Sequence, residues 1–154
     1  MNNYKKTSKI SFLLMLFGVL LFSSSTFAQR VIEMTGTDRM KFTIEQIEAK
    51  PGEQITVKLY VDSKLPAAAM GHNFVLLKQG VDARAYSNAS ARHRNNEYLD
   101  PDRMNDVLAH TKMGSGGETV EVTFNAPDKA GDYEYVCTFP GHYVSGMKGT
   151  LTVK

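Results

Sequence analysis

The segment from residue 137 to residue 147 carries three side chains that bind soft metal ions. Cys137 supplies a thiol, His142 an imidazole and Met147 a thioether, all within eleven residues. A second imidazole, His72, lies 65 residues upstream of Cys137. Two imidazoles and one thiolate around copper, with a weakly bound methionine sulfur on the axis, form the blue-copper electron-transfer site. The four side chains therefore predict a site for one copper ion.

Each of these residues also has a simpler interpretation. A lone cysteine can be an inert buried side chain or a nucleophile paired with a histidine, and Met147 can fill the core. The nucleophile would need a recognisable orienting group and an oxyanion site. The recurrence of donors at residues 137, 142 and 147, together with His72, favours the interpretation as metal ligands.

The elements that must position these residues are strands. Apolar and polar residues alternate at residues 55–61 and 120–124, a period of two that is typical of half-buried strands. Further strands are predicted at residues 31–34, 41–44, 74–77, 132–137 and 149–154. Short strands with Gly, Pro and Asp turns between them are typical of a β-sandwich. Cys137 would end one strand and Met147 would precede the next, so that the loop between them surrounds an ion from several sides.

Residues 81–104 interrupt this alternation. They are polar and rich in Ala, Arg and Asn, which predicts an insertion on the sandwich with a short helix at residues 83–94. His93 stands between two arginines, and we expect it to lie on a solvated, charged face.

The first 28 residues have the pattern of a secretory signal, which leaves residues 29–154 as one domain. Three lysines precede a 13-residue apolar run, and small residues lead up to Ala28. Thirteen residues are too few to cross a bilayer, which needs about 20. Beyond Ala28 the chain has 15 Lys and Arg against 16 Asp and Glu. This balance argues against nucleic acid as a partner, and the expected state is a monomer.

Three blocks of sequence resemble the cupredoxins, and among them the azurins and auracyanins. The string Cys-Thr-Phe-Pro-Gly-His at residues 137–142, followed by Met-Lys-Gly-Thr-Leu-Thr at 147–152, is similar to the azurin copper loop. Met-Gly-His-Asn at 70–73 is similar to the first-histidine motif, and Leu-Ala-His-Thr-Lys at 108–112 to an intervening strand. The resemblance covers essentially the whole chain after residue 28 and implies an all-β, Greek-key β-sandwich.

Carried over by position, the resemblance implies a copper ion with three equatorial ligands and one axial ligand, namely His72, Cys137, His142 and Met147. It implies a distant fifth contact from the carbonyl of Gly71. It also implies that the backbone N–H groups of Asn73 and Phe139 donate to the Cys137 sulfur, as outer donors that orient and tune a ligand. His110 is assigned no copper and is expected to face solvent.

Some positions depart from the azurin pattern. Four residues separate His142 from Met147, whereas azurins have three there, and the azurin disulfide cannot form with Cys137 as the single cysteine. Phe74 replaces a common tryptophan, a conservative change of packing. Tyr133 matches a tyrosine that ties the sandwich together in this family.

The expected function is that of a small exported, periplasmic protein that shuttles single electrons between redox proteins such as c-type cytochromes or dehydrogenases. We do not expect an enzyme, because protein ligands fill all four metal positions and leave none open for a substrate. Electrons would cross at the exposed edge of His142, where Met70, Pro140 and Val144 would form a weakly binding docking surface. The alternative is a periplasmic copper carrier or interaction module without electron transfer.

Overall fold

The computed structural model describes residues 29–154, in which nine strands form two sheets. The strands are β1 (Arg30–Thr37), β2 (Lys41–Phe42), β3 (Gln46–Ala49), β4 (Gln54–Asp62), β5 (Val75–Leu77), β6 (Val107–His110), β7 (Thr119–Asn125), β8 (Gly131–Val136) and β9 (Lys148–Val153). One sheet has the order β2-β1-β4-β7 and the other β3-β9-β8-β5-β6. The predicted β-sandwich is confirmed.

Both sheets are mixed. Strand β1 runs parallel to β4 along its whole length, and β3 runs parallel to β9, while the other pairs are antiparallel. Strands β2 and β3 follow one another in the chain but lie in different sheets, so the chain crosses from one sheet to the other between them.

Alternation along the strands decides which side chains enter that core. Ile55, Val57 and Leu59 of β4 are fully buried, and their polar neighbours point the other way, as a period of two requires. Cys137 and Met147 belong to the same core cluster as these residues. The candidate ligands therefore lie at one end of the hydrophobic core and not on its surface.

Two aromatic predictions concern this core. Phe74 is fully buried and its ring lies 5.0 Å from the ring of Tyr135 and 6.3 Å from that of Phe124, centroid to centroid. The hydroxyl of Tyr133 donates to the carbonyl of Lys129 at 2.7 Å. Tyr133 thus ties the turn before β8 to the strand itself, in the manner of a tyrosine corner.

The insertion is less helical than the sequence predicts. Helix α1 (Ala67–Met70) precedes the insertion, helix α2 (Ala83–Ser90) lies within it, and 3-10 turns follow at Arg94–Asn96 and Pro101–Asp106. The Asp82 carboxylate accepts a hydrogen bond from Ala85 N at 3.0 Å and caps the start of α2. The predicted helix at residues 83–94 was wrong in its end, because the chain tightens into turns after Ser90.

A second hydrophobic cluster joins the insertion to the larger sheet. Its buried members come from α2, β5, β8 and the segment after the first 3-10 turn: Val75, Leu77, Ala83, Tyr86, Leu99 and Val136. Four partly buried side chains pack against it, Val81, Met104, Val107 and Tyr143. The insertion is thereby packed onto the strands that lead to the candidate ligands.

Two strand predictions differ from the structure. The strand predicted at residues 41–44 is reduced to Lys41–Phe42, and β3 was not predicted. β3 contributes only Ile47 and Ala49 to the core, too few alternating residues for a clear pattern.

The predicted signal at residues 1–28 lies outside the described residues. Within residues 29–154, no helix is both long and apolar enough to span a membrane.

Candidate metal centre

Three donor atoms from distant parts of the chain meet at one end of the core. The Nδ1 atoms of His72 and His142 lie 3.2 Å apart, and the Sγ atom of Cys137 lies 4.0 Å from the first and 3.4 Å from the second. His72 and Cys137 are fully buried, and His142 is 2% exposed. The predicted convergence of these three residues is what the structure shows.

The spacing suits a single metal ion. A first-row metal binds imidazole nitrogen at about 2.0–2.1 Å and thiolate sulfur at about 2.3 Å, so donors around one ion lie roughly 3 to 4 Å apart. Among the described residues, His72, Cys137 and His142 form the one group of three or more His, Cys, Asp or Glu donors close enough to hold an ion. Two imidazoles and a thiol are the equatorial donor set of a blue-copper site.

Cys137 follows the last residue of β8 and is held by the strand that comes next. Its backbone N–H donates to the Met147 carbonyl at 3.1 Å, which closes the base of the loop between β8 and β9. The loop is also linked internally, since His142 N donates to Phe139 O at 3.0 Å and Met147 N to His142 O at 2.9 Å. The copper-loop residues 137–147 are therefore fixed by their own backbone.

His72 is positioned by a bridge outside the main strands. Its N–H donates to the Gly114 carbonyl at 3.2 Å, and Gly114 N donates back to the His72 carbonyl at 2.8 Å. This pair of bonds ties the segment before β5 to the segment after β6. His72 consequently belongs to the rigid sandwich, and His142 to the loop that closes over it.

Three further residues lie around the three donors. Met147 is fully buried, and a Cβ atom added at Gly36 would lie 2.9 Å from its terminal methyl and 2.8 Å from Cδ2 of His72. Gly36 thus leaves the room that both side chains occupy. The carbonyl oxygen of Gly71 lies 4.0 Å from the Cys137 sulfur, so it faces the same centre.

Burial sets the protonation of the donors. It lowers the pKa of His72 and the pKa of His142 to about 4. At His142, the neighbouring His72 imidazole lowers the pKa further. At His72, the Asp38 carboxylate and the Thr37 backbone act in the opposite direction and raise the pKa. Both imidazoles are therefore neutral at pH 7, as metal ligands must be.

The thiol responds in the opposite direction. Burial raises the pKa of Cys137 to about 12, while the backbone N–H groups of Asn73 and Phe139 lower it. These are the two donors that the family resemblance implies for the sulfur. The metal-free thiol is thus protonated at pH 7, and a metal that binds there must displace its proton.

One side chain beside the site was missed from the sequence. The Asn73 amide donates from Nδ2 to Thr138 Oγ1 at 2.8 Å and accepts from Thr138 N at 2.9 Å. Both residues are buried, and each directly follows a donor residue, His72 or Cys137. The sequence did offer a signal for this pair, namely an amide side chain directly after one candidate ligand and a hydroxyl side chain directly after another. The pair links the two ligand segments directly.

Contacts around His142 correct one expectation. Its ring lies 4.6 Å from that of Phe139, which in turn lies 5.1 Å from the ring of Tyr98. With these neighbours and the loop around it, His142 is 2% exposed. The prediction of an exposed imidazole edge is therefore wrong, because almost none of the residue reaches solvent.

The two remaining histidines lie apart from this group. His110, on the edge strand β6, is half-buried, and its Nδ1 lies 3.1 Å from the Thr111 carbonyl. His93 Nε2 lies 3.6 Å from Oδ1 of Asp100, whose side chain is 9% exposed. The prediction that both face solvent is correct only in part, since each also contacts a protein oxygen.

Comparisons with known proteins agree with this geometry. The sequence matches the family described as copper binding proteins, plastocyanin/azurin family, over residues 28–154. It is 40% identical to azurin-1 of Alcaligenes xylosoxydans xylosoxydans over 127 residues, covering 80% of this chain and 97% of that protein. It is 36% identical to azurin of Pseudomonas aeruginosa over 153 residues, covering 97% of this chain and 99% of that protein.

A solved structure gives the same result for the fold. Auracyanin A, a "blue" copper protein from Chloroflexus aurantiacus, superposes with a TM-score of 0.73 at 32% identity, covering 82% of this chain and all of that one. The donor set of two imidazoles, a thiol and a buried methionine matches a type 1 copper site, and copper is the cofactor. The chain belongs to the plastocyanin/azurin family of copper-binding proteins.

Proposed function

We propose that this chain is a small exported blue-copper protein that carries single electrons between redox proteins. Its equatorial ligands are His72, Cys137 and His142, its axial ligand is Met147, and the Gly71 carbonyl is a weak fifth contact. The observation that carries the proposal is the convergence of two neutral imidazoles and one thiol within 4.0 Å of one another in a buried site. The azurins and auracyanin similar to this chain support the same reading.

Copper bound here supplies a one-electron couple between Cu(II) and Cu(I). The chain's own contribution is to hold the donors before the metal arrives. The hydrogen bonds of Asn73 with Thr138 and of Cys137 with Met147 fix the ligand segments. Donors held in this way need little rearrangement when charge changes, and burial excludes water from the centre.

An electron carrier fits this site better than an enzyme does. The four candidate ligands are all protein side chains, and three of them are 0% exposed. Metal-ion catalysis needs an open coordination position for water or substrate. A site whose four positions are filled by protein side chains, none of them more than 2% exposed, favours electron transfer over a reaction that makes or breaks bonds at the metal.

The surface nearest to His142 suits brief contacts with other proteins. Val144, two residues further on, is 59% exposed, Pro140 is exposed and Met70 is half-buried. Small apolar surfaces of this kind support weak, transient electron-transfer encounters. We assign this surface to docking of c-type cytochromes or dehydrogenases by a monomeric protein, with electrons crossing at the exposed sliver of His142.

Export rests on the sequence of residues 1–28. Their lysines, apolar run and small residues before position 29 have the pattern of a cleaved secretory signal. We place the mature domain at residues 29–154 and its site of action in the periplasm. N-terminal sequencing of the protein recovered from the cell envelope should begin at Gln29; a protein that retains Met1 would contradict this assignment.

The experiment that separates a shuttle from a copper carrier uses the copper-loaded protein. Mixed with reduced cytochrome c in a stopped-flow instrument, it should accept one electron per copper and return that electron to an oxidant through many cycles. The metal should stay bound throughout. Loss of copper to a metal-free acceptor protein, without reversible reduction, would instead identify a copper carrier.

A further inference from the structure

The residue that follows His142 has a contact that the ligand set does not explain. Tyr143 is half-buried, and it is the one side chain among residues 143–146 that packs against the second hydrophobic cluster. Its neighbours Val144 and Ser145 are exposed. The loop between His142 and Met147 is therefore attached to the body of the protein through this ring.

Two cations lie against the same ring. The guanidinium carbon of Arg84, in the first turn of α2, is 5.9 Å from the ring centroid, and the Nζ atom of Lys148, at the start of β9, is 4.9 Å away. Each distance is within the range of a cation–π contact. Glu134 lies 3.7 Å from the Lys148 ammonium and restrains it.

The cluster beneath Tyr143 is built on the strands that carry the other ligands. Val75 and Val136 belong to it and pair across β5 and β8. Val136 directly precedes Cys137, and Val75 lies three residues after His72. The ring of Tyr143 therefore connects the His142 side of the loop to the wall that positions the sulfur and the first imidazole.

We propose that Tyr143 is a positioning residue, which anchors the four-residue connection between His142 and Met147 to the insertion and thereby fixes the orientation of the His142 imidazole. This inference rests on the proposed function, because it assigns Tyr143 a role toward the copper site. Backbone hydrogen bonds within residues 137–147 fix the shape of this loop, but by themselves they would let the whole loop, and His142 with it, tilt against the sandwich. The contacts with Arg84, Lys148 and the cluster remove that freedom.

The test compares Tyr143→Ser with Tyr143→Phe, and uses Tyr60→Ser as the matched control. Tyr60 is 42% exposed on β4 in the other sheet, so its replacement makes the same chemical change away from the loop. Three readouts are taken on the copper-loaded proteins at 25 °C: the visible and electron paramagnetic resonance spectra, the rate of copper loss to a chelator, and the melting temperature.

Tyr143→Ser should change the copper spectra and should release copper faster by roughly tenfold, the scale on which outer-shell partners alter metal affinity. Tyr143→Phe keeps the ring and should stay within about twofold of the wild type, and Tyr60→Ser should do the same. The melting temperature shows that each variant is folded under the conditions of measurement, and a spectral change in a folded variant separates positioning from general stability.

Two outcomes would overturn the proposal. In one, Tyr143→Ser retains the wild-type spectra and rate of copper loss. In the other, Tyr143→Phe behaves like Tyr143→Ser, which would make the hydroxyl and not the ring responsible. A wild-type protein without thiolate-to-copper absorption would be a failure of the proposed ligand set, and it would appear before any variant is compared.

Discussion

At the residue scale, the centre depends on what surrounds each donor. The same burial lowers the pKa of two imidazoles and raises that of the thiol, because a low-dielectric interior disfavours every charged form. The imidazoles are thereby ready to bind a metal, whereas the thiol needs the metal to lose its proton.

Met147→Leu should raise the reduction potential. Loss of the thioether weakens axial donation to Cu(II), and the axial ligand tunes the potential of blue-copper sites. Cyclic voltammetry of the copper-loaded variant measures the change. Met34→Leu is the control, because Met34 is 2% exposed in the same core cluster. Equal potentials in wild type and Met147→Leu would show that the sulfur does not reach the metal.

Gly36→Ala should displace the Met147 and His72 side chains by crowding them. The new methyl group would lie 2.8 Å from His72 and 2.9 Å from Met147, closer than carbon atoms pack. Overpacking of this kind costs about 1–3 kcal/mol. Urea unfolding measures the loss in the free energy of unfolding, and the visible spectrum should shift with it. A variant as stable as the wild type, with the same spectrum, would contradict the proposed packing.

At the element scale, the strands place the ligands and the loops adjust them. Cys137 follows β8, Met147 precedes β9, and His72 precedes β5, so three strand ends of one sheet converge. Hydrogen bonds between these strand ends, such as those between the Asn73 side-chain amide and Thr138, hold the ends in register.

Tyr133→Phe should destabilise the protein without changing the copper site. The variant loses the 2.7 Å hydrogen bond to the Lys129 carbonyl, and such a bond contributes about 0.5–1.5 kcal/mol. Thermal or urea unfolding measures this loss. Tyr60→Phe, at a residue that is 42% exposed, should change stability by less than about 0.5 kcal/mol. Equal effects of the two variants would argue against a special role for Tyr133.

The sequence predicts these elements unevenly, for physical reasons. β4 and β7 follow from alternation because one face of each is buried against the core. β3 does not, because it is four residues long and pairs parallel with a strand more than a hundred residues away. The end of α2 is contacted from further along the chain, where the N–H of Asp100 donates to the Ser90 hydroxyl at 3.3 Å, and local composition does not encode that contact.

The site was predictable to a similar degree. Cys137, His142 and Met147 are recognisable from their types and spacing, and His72 from its motif. The near-complete burial of His142 was not, since it arises from the contact of its ring with the tilted ring of Phe139 and from other contacts made only in the folded chain. The same is true of Tyr143, whose partners come from α2 and β9.

At the scale of the whole molecule, the two buried imidazoles couple stability to pH. Their folded pKa of about 4 lies below the ordinary value of 6.5, so the unfolded chain binds more protons between these values. Stability of the metal-free protein should therefore fall as pH falls from about 6.5 towards about 4. Urea unfolding of the metal-free protein at pH 7 and pH 5 tests this.

A His72→Gln variant serves as the control for that pH dependence. It removes one titrating imidazole and, with it, the part of the pH effect that His72 causes. The difference in stability between pH 7 and pH 5 should be smaller in the variant than in the wild type. The same difference in both proteins would show that groups other than the buried imidazoles set the acid sensitivity.

The central claim is that Cys137 binds copper as a thiolate in company with two imidazoles. The most direct measurement is the visible absorption of the purified protein loaded with one equivalent of Cu(II), compared with the Cys137→Ser variant. We predict an intense thiolate-to-copper charge-transfer band in the wild type and none in the variant, with both proteins folded by circular dichroism. A wild-type protein with only weak d–d bands, or a Cys137→Ser variant that keeps the intense band, would contradict the account.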